Sequence, residues 1–336
     1  MLISNNNYAR NSDFVFAETV DHETFRNLND GSLYITDESK DGIAYKATCL
    51  QIVDGDSIFC RTDYLDELFY LIKKTNTKNL KLITHQTDID INNKLAQKLP
   101  KNFTYWFGIN KNTESKRVIS IPIGLAGNFS GKNLQTKDFD ENKIKNFDLK
   151  FKELKIYVNF QKNTNSVERE LAIDILKKSD RSFISPPNLA KDKYKEHLES
   201  FAFTLCPWGN GYDTHRVWEA LYCGSVPIIK RHNTFEYLEN LPVLIIDDYE
   251  ELLKIDLDEF IDKFDITKFD LDKLSIEYWV SQYKNKKSDI QKEDINIKYH
   301  ITLFFHFKLK IKNKLESNKK KISYYLKKIL EKLSLR

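Results

Sequence analysis

The chain reads as an α/β protein with two successive α/β units, followed by a basic helical tail. Three observations predict this. Short apolar runs alternate with helical periodicity through the first 125 residues, the pattern of a mostly parallel sheet with covering helices. The alternation restarts at Lys155, after a polar Lys/Asp/Asn-rich stretch over residues 126–152. Residues 291–336 then carry 13 Lys/Arg against 4 Asp/Glu, a net +9, while the other 290 residues sum to −5. The expected divisions are 1–150 for the N-terminal unit and linker, 151–285 for the second unit and 286–336 for the tail.

In the first unit, Ser57 to Cys60 reads as a strand. From Tyr64 to Ile72, Leu65, Leu68, Phe69 and Ile72 recur at helical spacing. Leu80 to Thr84 is a strand that runs into His85-Gln86-Thr87-Asp88. Asn93 to Leu99 is a short helix ended by Pro100. Tyr105 to Ile109 and Val118 to Ile123 are further strands. Loops at the carboxyl ends of parallel strands carry ligands. His85, Asp88, Asn110 and the Pro122-Ile123-Gly124 turn therefore sit where a site belongs.

Residues 126–152, with a turn at Gly131, read as an inter-domain linker with a small helix. Lys155 to Phe160 opens the second unit as a strand. Asn165 and Glu168 have the spacing of a capping box, opening a helix to about Lys178. A strand at Phe183–Ser185 and a helix from Lys191 to Glu199 follow. Val243 to Ile246 is a late strand, and helices are expected from Tyr249 to Leu257 and from Leu271 to Tyr283.

Composition supports a folded chain: 41% of residues are hydrophobic, with 22 Phe and 17 Tyr among 336. Cys49, Cys60, Cys206 and Cys223 show no CxxC or paired metal spacing, so free thiols in a reducing cytosol are expected. Met1 to Arg10 is polar and Asn-rich, unlike a signal peptide. No apolar run approaches the roughly 20 residues of a membrane span. The longest, Ile301 to Phe307, is interrupted by His306. A cytoplasmic protein is expected.

The densest signal runs from Leu205 to Ile229, read as strand, loop, helix, turn and strand. Phe201 to Leu205 is a buried-strand run. Pro207, Gly209 and Gly211 make a loop that a ligand can approach closely, with Asn210 between the glycines. Asp213 is placed to N-cap a helix from Thr214 to Cys223, and Gly224 to close it with a left-handed turn. A glycine loop feeding a helix N-terminus is an anion site. Arg216 in the first turn adds a bidentate phosphate contact, and His215 lies beside it. Glu219, three residues on, suits ribose hydroxyls. On spacing alone, Arg216 and Glu219 are equally an exposed i,i+3 ion pair.

The pattern Pro-x-Gly-x6-Arg-x-x-Glu-Ala-Leu-x-x-Gly-x-x-Pro, from Pro207 to Pro227, resembles the donor-sugar motif of exostosin-like glycosyltransferases of the GT-B fold. Tyr194, Leu198 and Ser200 extend the likeness, and Asn159-Phe160 with Arg169 resembles that family's Phe-turn-Arg segment. It covers roughly residues 155–250 well and the N-terminal part loosely. The resemblance implies two Rossmann-like α/β domains facing each other across a cleft, and transfer of a sugar from a nucleotide-diphosphate donor to a glycan or lipid-linked glycan acceptor. It implies donor binding by Arg169, Gly209, Asn210, Gly211, Asp213, His215, Arg216 and Glu219. Many retaining GT-B enzymes carry a glutamate eight positions before the one matched by Glu219; here that position is Gly211, which favours an inverting reaction.

Inversion needs one general base for the acceptor hydroxyl and positive charge for the departing diphosphate. His85 and Asp88, facing the donor from the N-terminal unit, are the expected bases; a turn stabilised by Asp88 is the plainer alternative. Trp208 is expected to pack within its loop. The Asp-x-Asp pairs at 54/56, 88/90, 256/258 and 270/272 have no compelling metal-site context, so no metal or other cofactor is expected. Two other readings remain open: a non-catalytic sugar- or nucleotide-sugar-binding protein of the same fold, and a metal-dependent GT-A transferase.

In the tail, Ile322, Tyr325, Leu326, Ile329, Leu330 and Leu333 form one apolar stripe among Lys319–Lys321, Lys327, Lys328 and Lys332. Such a basic amphipathic helix over residues 318–336 suits an anionic membrane surface. A helix packed back on the body is the alternative. No nucleic-acid motif accompanies the basic patch.

Overall fold

The computed structural model describes residues 1–142, 144, 146–284 and 293–334, and within them side chains other than those of 293, 294, 299, 320 and 323–334. The first part of the chain contributes strands β1 (Phe14–Val20), β2 (Leu33–Glu38), β3 (Ile43–Ala47), β4 (Cys49–Ile52), β5 (Ser57–Arg61), β6 (Leu80–His85), β7 (Ile91–Asn92), β8 (Phe103–Gly108), β9 (Lys111–Asn112) and β10 (Val118–Ser120). Helices α1 (Asn5–Arg10), α2 (His22–Leu28), α3 (Leu65–Ile72) and α4 (Asn93–Ala96) lie among them. Seven strands form one sheet in the order β10-β8-β6-β5-β1-β3-β2. It is parallel from β10 to β1, and antiparallel where β3 meets β1 and β2.

The second part contributes β11 (Glu153–Val158), α5 (Ser166–Leu176), β12 (Ser182–Ile184), α6 (Lys191–Ser200), β13 (Phe201–Leu205), α7 (His215–Tyr222), β14 (Val226–Lys230), β15 (Leu244–Ile246), α8 (Leu257–Lys263) and α9 (Ile276–Ser281). Its five strands are all parallel, in the order β12-β11-β13-β14-β15. Every residue of β13 is buried, which a central strand covered on both faces requires. Asn165 caps α5 as its position predicts, accepting from the Glu168 N–H. Gly224 ends α7 at φ +66°, where a Cβ would sit 2.2 Å from the Asn146 carbonyl oxygen.

The two sheets share one apolar core. Val217, Trp218, Leu221 and Tyr222 of α7 pack with Ile3, Tyr8, Ile83, Phe107 and Ile121 of the first part. The Tyr222 hydroxyl accepts from the Ile3 N–H and donates to the Leu274 carbonyl. An interface this apolar resists the relative motion that a polar domain boundary would allow. Residues 126–152 are correspondingly more than a linker, because Leu134, Ile144, Phe147 and Leu149 are buried.

Several expected boundaries change. The stretches after Tyr249 and Leu271 each begin as 3-10 helix, Tyr249–Leu253 and Leu271–Leu274, before α8 and α9 form. Strand β16 (Glu293–Asn296) pairs antiparallel with β4, and helix α10 (Tyr299–Ser334) follows. Ile295, Ile297, Ile301 and Leu309 join the core of the first sheet, so the start of α10 packs back on the body, the alternative given above. The apolar side chains expected at 325–333 lie outside the described residues. Among the described residues no helix is long and apolar enough to cross a membrane.

Candidate functional site

The second sheet reverses its strand order beside β11: β12 lies on one side, and β13, β14 and β15 follow on the other. Doubly wound sheets bind ligands outside the carboxyl ends of their strands at such a switch point. Two loops leave the sheet there, one through Asn159 and Phe160 after β11, the other through Gly209 and Gly211 after β13. They wall a cavity of about 480 Å³. Asp88 and Ile123 reach it from the first unit, and Lys132 from the connecting segment.

Two arginines meet in this wall. The Arg169 guanidinium on α5 and that of Arg216 on α7 lie 5.4 and 5.7 Å from the centroid of the Phe160 ring. Arg169 donates to the carbonyls of Trp208 and Gln161 at 2.9 and 2.6 Å, so its partners are neutral acceptors rather than a carboxylate. Burial, and then the nearby Arg216 charge, pull Arg169 down to about 10. Burial acts on Arg216 in the same sense, but Tyr194, Cys206 and Glu219 outweigh it and hold Arg216 above its ordinary value. A Cβ on Gly209 would stand 2.9 Å from Arg169 Nη2, so the glycine lets the guanidinium lie against the loop. Two clustered like charges are stabilised by an anion between them.

The start of α7 differs from expectation in a way that bears on the same point. Asp213 does not cap the helix; Thr214 stands at the cap and makes no side-chain capping bond. Asp213 is buried, with Oδ2 accepting from the Ile123 N–H at 2.8 Å, the Tyr237 hydroxyl at 2.6 Å and the Trp218 indole at 3.4 Å. It thereby joins the cavity wall to the first unit. The first-turn N–H groups of α7 are left without a side-chain cap, beside Arg216, which is the arrangement an anion completes. Asp213 Oδ1 is buried without a partner among the described residues.

Burial raises the Asp213 carboxyl from 3.8 to about 6. A carboxyl raised on folding favours the native state fully below its unfolded value, and that advantage is lost as pH rises through the folded value. The wild type should therefore lose stability relative to Asp213→Asn between about pH 4 and 6, by on the order of 2–3 kcal/mol. Parallel denaturation of both proteins across that range checks this; a pH-independent difference would contradict it.

Glu219 is buried on α7, one turn after Arg216, and its Oε2 accepts from the Tyr194 hydroxyl at 2.7 Å. Gly211 leaves no room for a larger residue, since a Cβ there would stand 2.7 Å from Asn110 Oδ1. Asn110 itself has φ +55° and accepts from the Tyr212 N–H. Trp208 packs, with its indole donating to the Lys230 carbonyl and Lys230 over its ring.

Of the ten residues singled out in the sequence, nine line the cavity: Asp88, Arg169, Gly209, Asn210, Gly211, Asp213, His215, Arg216 and Glu219. His85 does not. It is 1% exposed, and burial with the neighbouring His215 lowers it to about 3. Its Nδ1 accepts from the Gln86 N–H, so Nε2 carries the proton and donates to the Ile123 carbonyl. Its lone pair is engaged and its basicity suppressed, and it is held against the 122–124 turn rather than open to the cavity. Gln86 supports the same loop, held at φ +66° by paired amide bonds to the Thr19 backbone. Asp88, two residues on, is exposed at the cavity. His215 donates from Nδ1 to the Gly124 carbonyl, which leaves Nε2 as the acceptor of the neutral ring.

The sequence reading missed Lys132 and Lys191, both lining the cavity, with Lys191 paired to Asp138. In a segment crowded with lysine and aspartate, nothing in spacing separates these two from solvated neighbours.

A family model described as the RXYLT1 C-terminal domain matches residues 161–260. That family is one of xylosyltransferases related to exostosin-like glycosyltransferases. The matched segment, which holds Arg169, the Gly209–Gly211 loop and α7, is therefore similar to part of a glycosyltransferase. Among curated proteins, none matches the chain.

Proposed function

We propose that this chain is a glycosyltransferase that moves a sugar from a nucleotide-diphosphate donor to a glycan or lipid-linked glycan acceptor. The observation that carries the reading is the Arg169–Arg216 pair beside the uncapped start of α7, at the switch point of a parallel sheet. The fold is read as GT-B, with the donor held by the second unit and the acceptor by the first. The family match over the donor-side segment supports this assignment.

In this reading the diphosphate lies against both guanidiniums and the first-turn N–H groups of α7. Negative charge grows on the diphosphate as its bond to the anomeric carbon breaks, and the same groups stabilise that charge. No metal is required for this role. Glu219, oriented by Tyr194, accepts from ribose hydroxyls. Asp88 takes the proton of the acceptor hydroxyl as its oxygen attacks the anomeric carbon. A single displacement inverts the configuration, and the space beside Gly211, where a retaining enzyme would carry a carboxylate, is taken by Asn110. The expected setting is synthesis of surface polysaccharide or glycoconjugate on the cytoplasmic side.

Thermal denaturation with a panel of nucleotide sugars tests the reading. One nucleoside-diphosphate sugar should raise the midpoint, since a ligand that binds only the native state stabilises it by about 2.7 kcal/mol at 100-fold its Kd. That donor should then be turned over with an acceptor, and chelator should leave the rate unchanged. Binding without transfer or hydrolysis would indicate a sugar-nucleotide-binding protein; inactivation by chelator would indicate metal-dependent transfer.

A further inference from the structure

Helix α10 has an inner and an outer side. Ile301, Phe305 and Leu309 pack toward the first sheet and α3, Thr302 is buried, and Lys308 pairs with Asp66 at 2.8 Å. At about 100° per residue, Leu303, Phe304, Phe307, Ile311, Leu315 and Ile322 fall in one sector of about 120° on the other side. All six are exposed, Phe304 by 63% and Phe307 by 67%. An exposed apolar strip of this kind, interrupted by Asn318 between Leu315 and Ile322, marks a surface that meets something else.

The charges bordering the strip are of one sign. Lys310, Lys314 and Lys321 fall along one border, and Lys308, Lys312 and Lys319 along the other. All six are exposed. The helix carries ten lysines and two glutamates, and the described one, Glu316, lies outside the strip. We propose that the outer face of α10, from Leu303 to Ile322, docks on an anionic lipid bilayer surface. Lysine stems lie along apolar surface while their ammonium groups reach the headgroups, so paired lysine borders fit an anionic interface. A second copy fits poorly, because helix pairs set glutamate against lysine across their borders, whereas here lysine would meet lysine.

This inference goes beyond the transferase reading and does not depend on it. It also moves the contact: the face starts at Leu303, upstream of the 318–336 segment expected from sequence, and it lies on a helix anchored to the first sheet. Ile89, adjacent to Asp88, lines the groove beside α10 together with Leu309 and Leu315. Docking through α10 would thus hold the bilayer near the acceptor side of the cavity.

Full-length protein should co-sediment with phosphatidylcholine vesicles containing phosphatidylglycerol, and not with phosphatidylcholine alone. Binding should fade as salt screens the lysines. Phe304→Ser with Phe307→Ser should weaken binding at least about tenfold through lost apolar insertion. Lys310→Glu with Lys314→Glu should weaken it at least about tenfold at low salt. Both double variants should keep the wild-type melting temperature and nucleotide-sugar affinity, which separates this outcome from failure of the transferase reading. A full-length chain that ignores anionic vesicles would overturn the proposal, as would variants that bind like wild type. Light scattering adds a further check: a dimer dispersed by the phenylalanine variant, without vesicle binding, would make the face a contact between copies and sink the membrane proposal.

Discussion

Arg216→Ala should lower transfer about ten- to a hundredfold while the protein stays folded, because a charge-assisted contact to phosphate is worth about 1.5–3 kcal/mol. The melting temperature should fall modestly, because Tyr194, Cys206 and Glu219 hold the Arg216 charge in the fold and buried Glu219 loses that cation. Steady-state kinetics with the identified donor, beside a thermal melt, checks both halves. Wild-type turnover in the variant would remove Arg216 from the phosphate site.

Asp88→Asn should bind the donor normally and transfer at least about 100-fold more slowly, the usual scale for losing a general base. The side chain is exposed at the cavity lip, so the substitution leaves no buried group unpaired. His85→Asn should act differently. His85 holds the Ile123 carbonyl from a buried position, so its loss should lower stability and disturb the 122–124 turn together with donor binding. Normal transfer by Asp88→Asn would move the base elsewhere, and His215, with Nε2 open as an acceptor, becomes the next group to test.

The residues that the second unit brings to the cavity were legible because their signals are local. Glycines, a helix start and charged residues at i and i+3 lie within one loop–helix unit, and Gly209 and Gly211 are each needed for a close side-chain approach. The second sheet was legible for a related reason: β13 and β14 are largely apolar runs bounded by loop residues, and β11 ends in one. The strands between residues 14 and 52 went unassigned because buried charge interrupts them. Glu18 in β1 is fully buried and accepts from Arg10, Asn6 and Tyr45. Lys46 in β3 is buried against Glu67. These partners come from other elements and not from the strand itself, so the strand's own pattern reads the charge as exposure. Asp213 was misassigned for the same reason. Its position is that of an N-cap, but Tyr237, Trp218 and Ile123 together outcompete the local bond. The anchoring of residues 293–309 depends on pairing between β16 and β4, some 240 residues apart, which no local period reveals.

The proposed function requires that the cavity beside α7 bind a diphosphate. Calorimetric titration tests it most directly, with nucleoside diphosphate and the parent nucleoside run against wild type and the Arg169→Ala and Arg216→Ala variants. The diphosphate should bind wild type far more tightly than the nucleoside does, and each arginine substitution should remove at least about tenfold of that difference, in line with charge-assisted phosphate contacts. Equal affinity for nucleoside and diphosphate, or diphosphate binding unchanged in both variants, would contradict it.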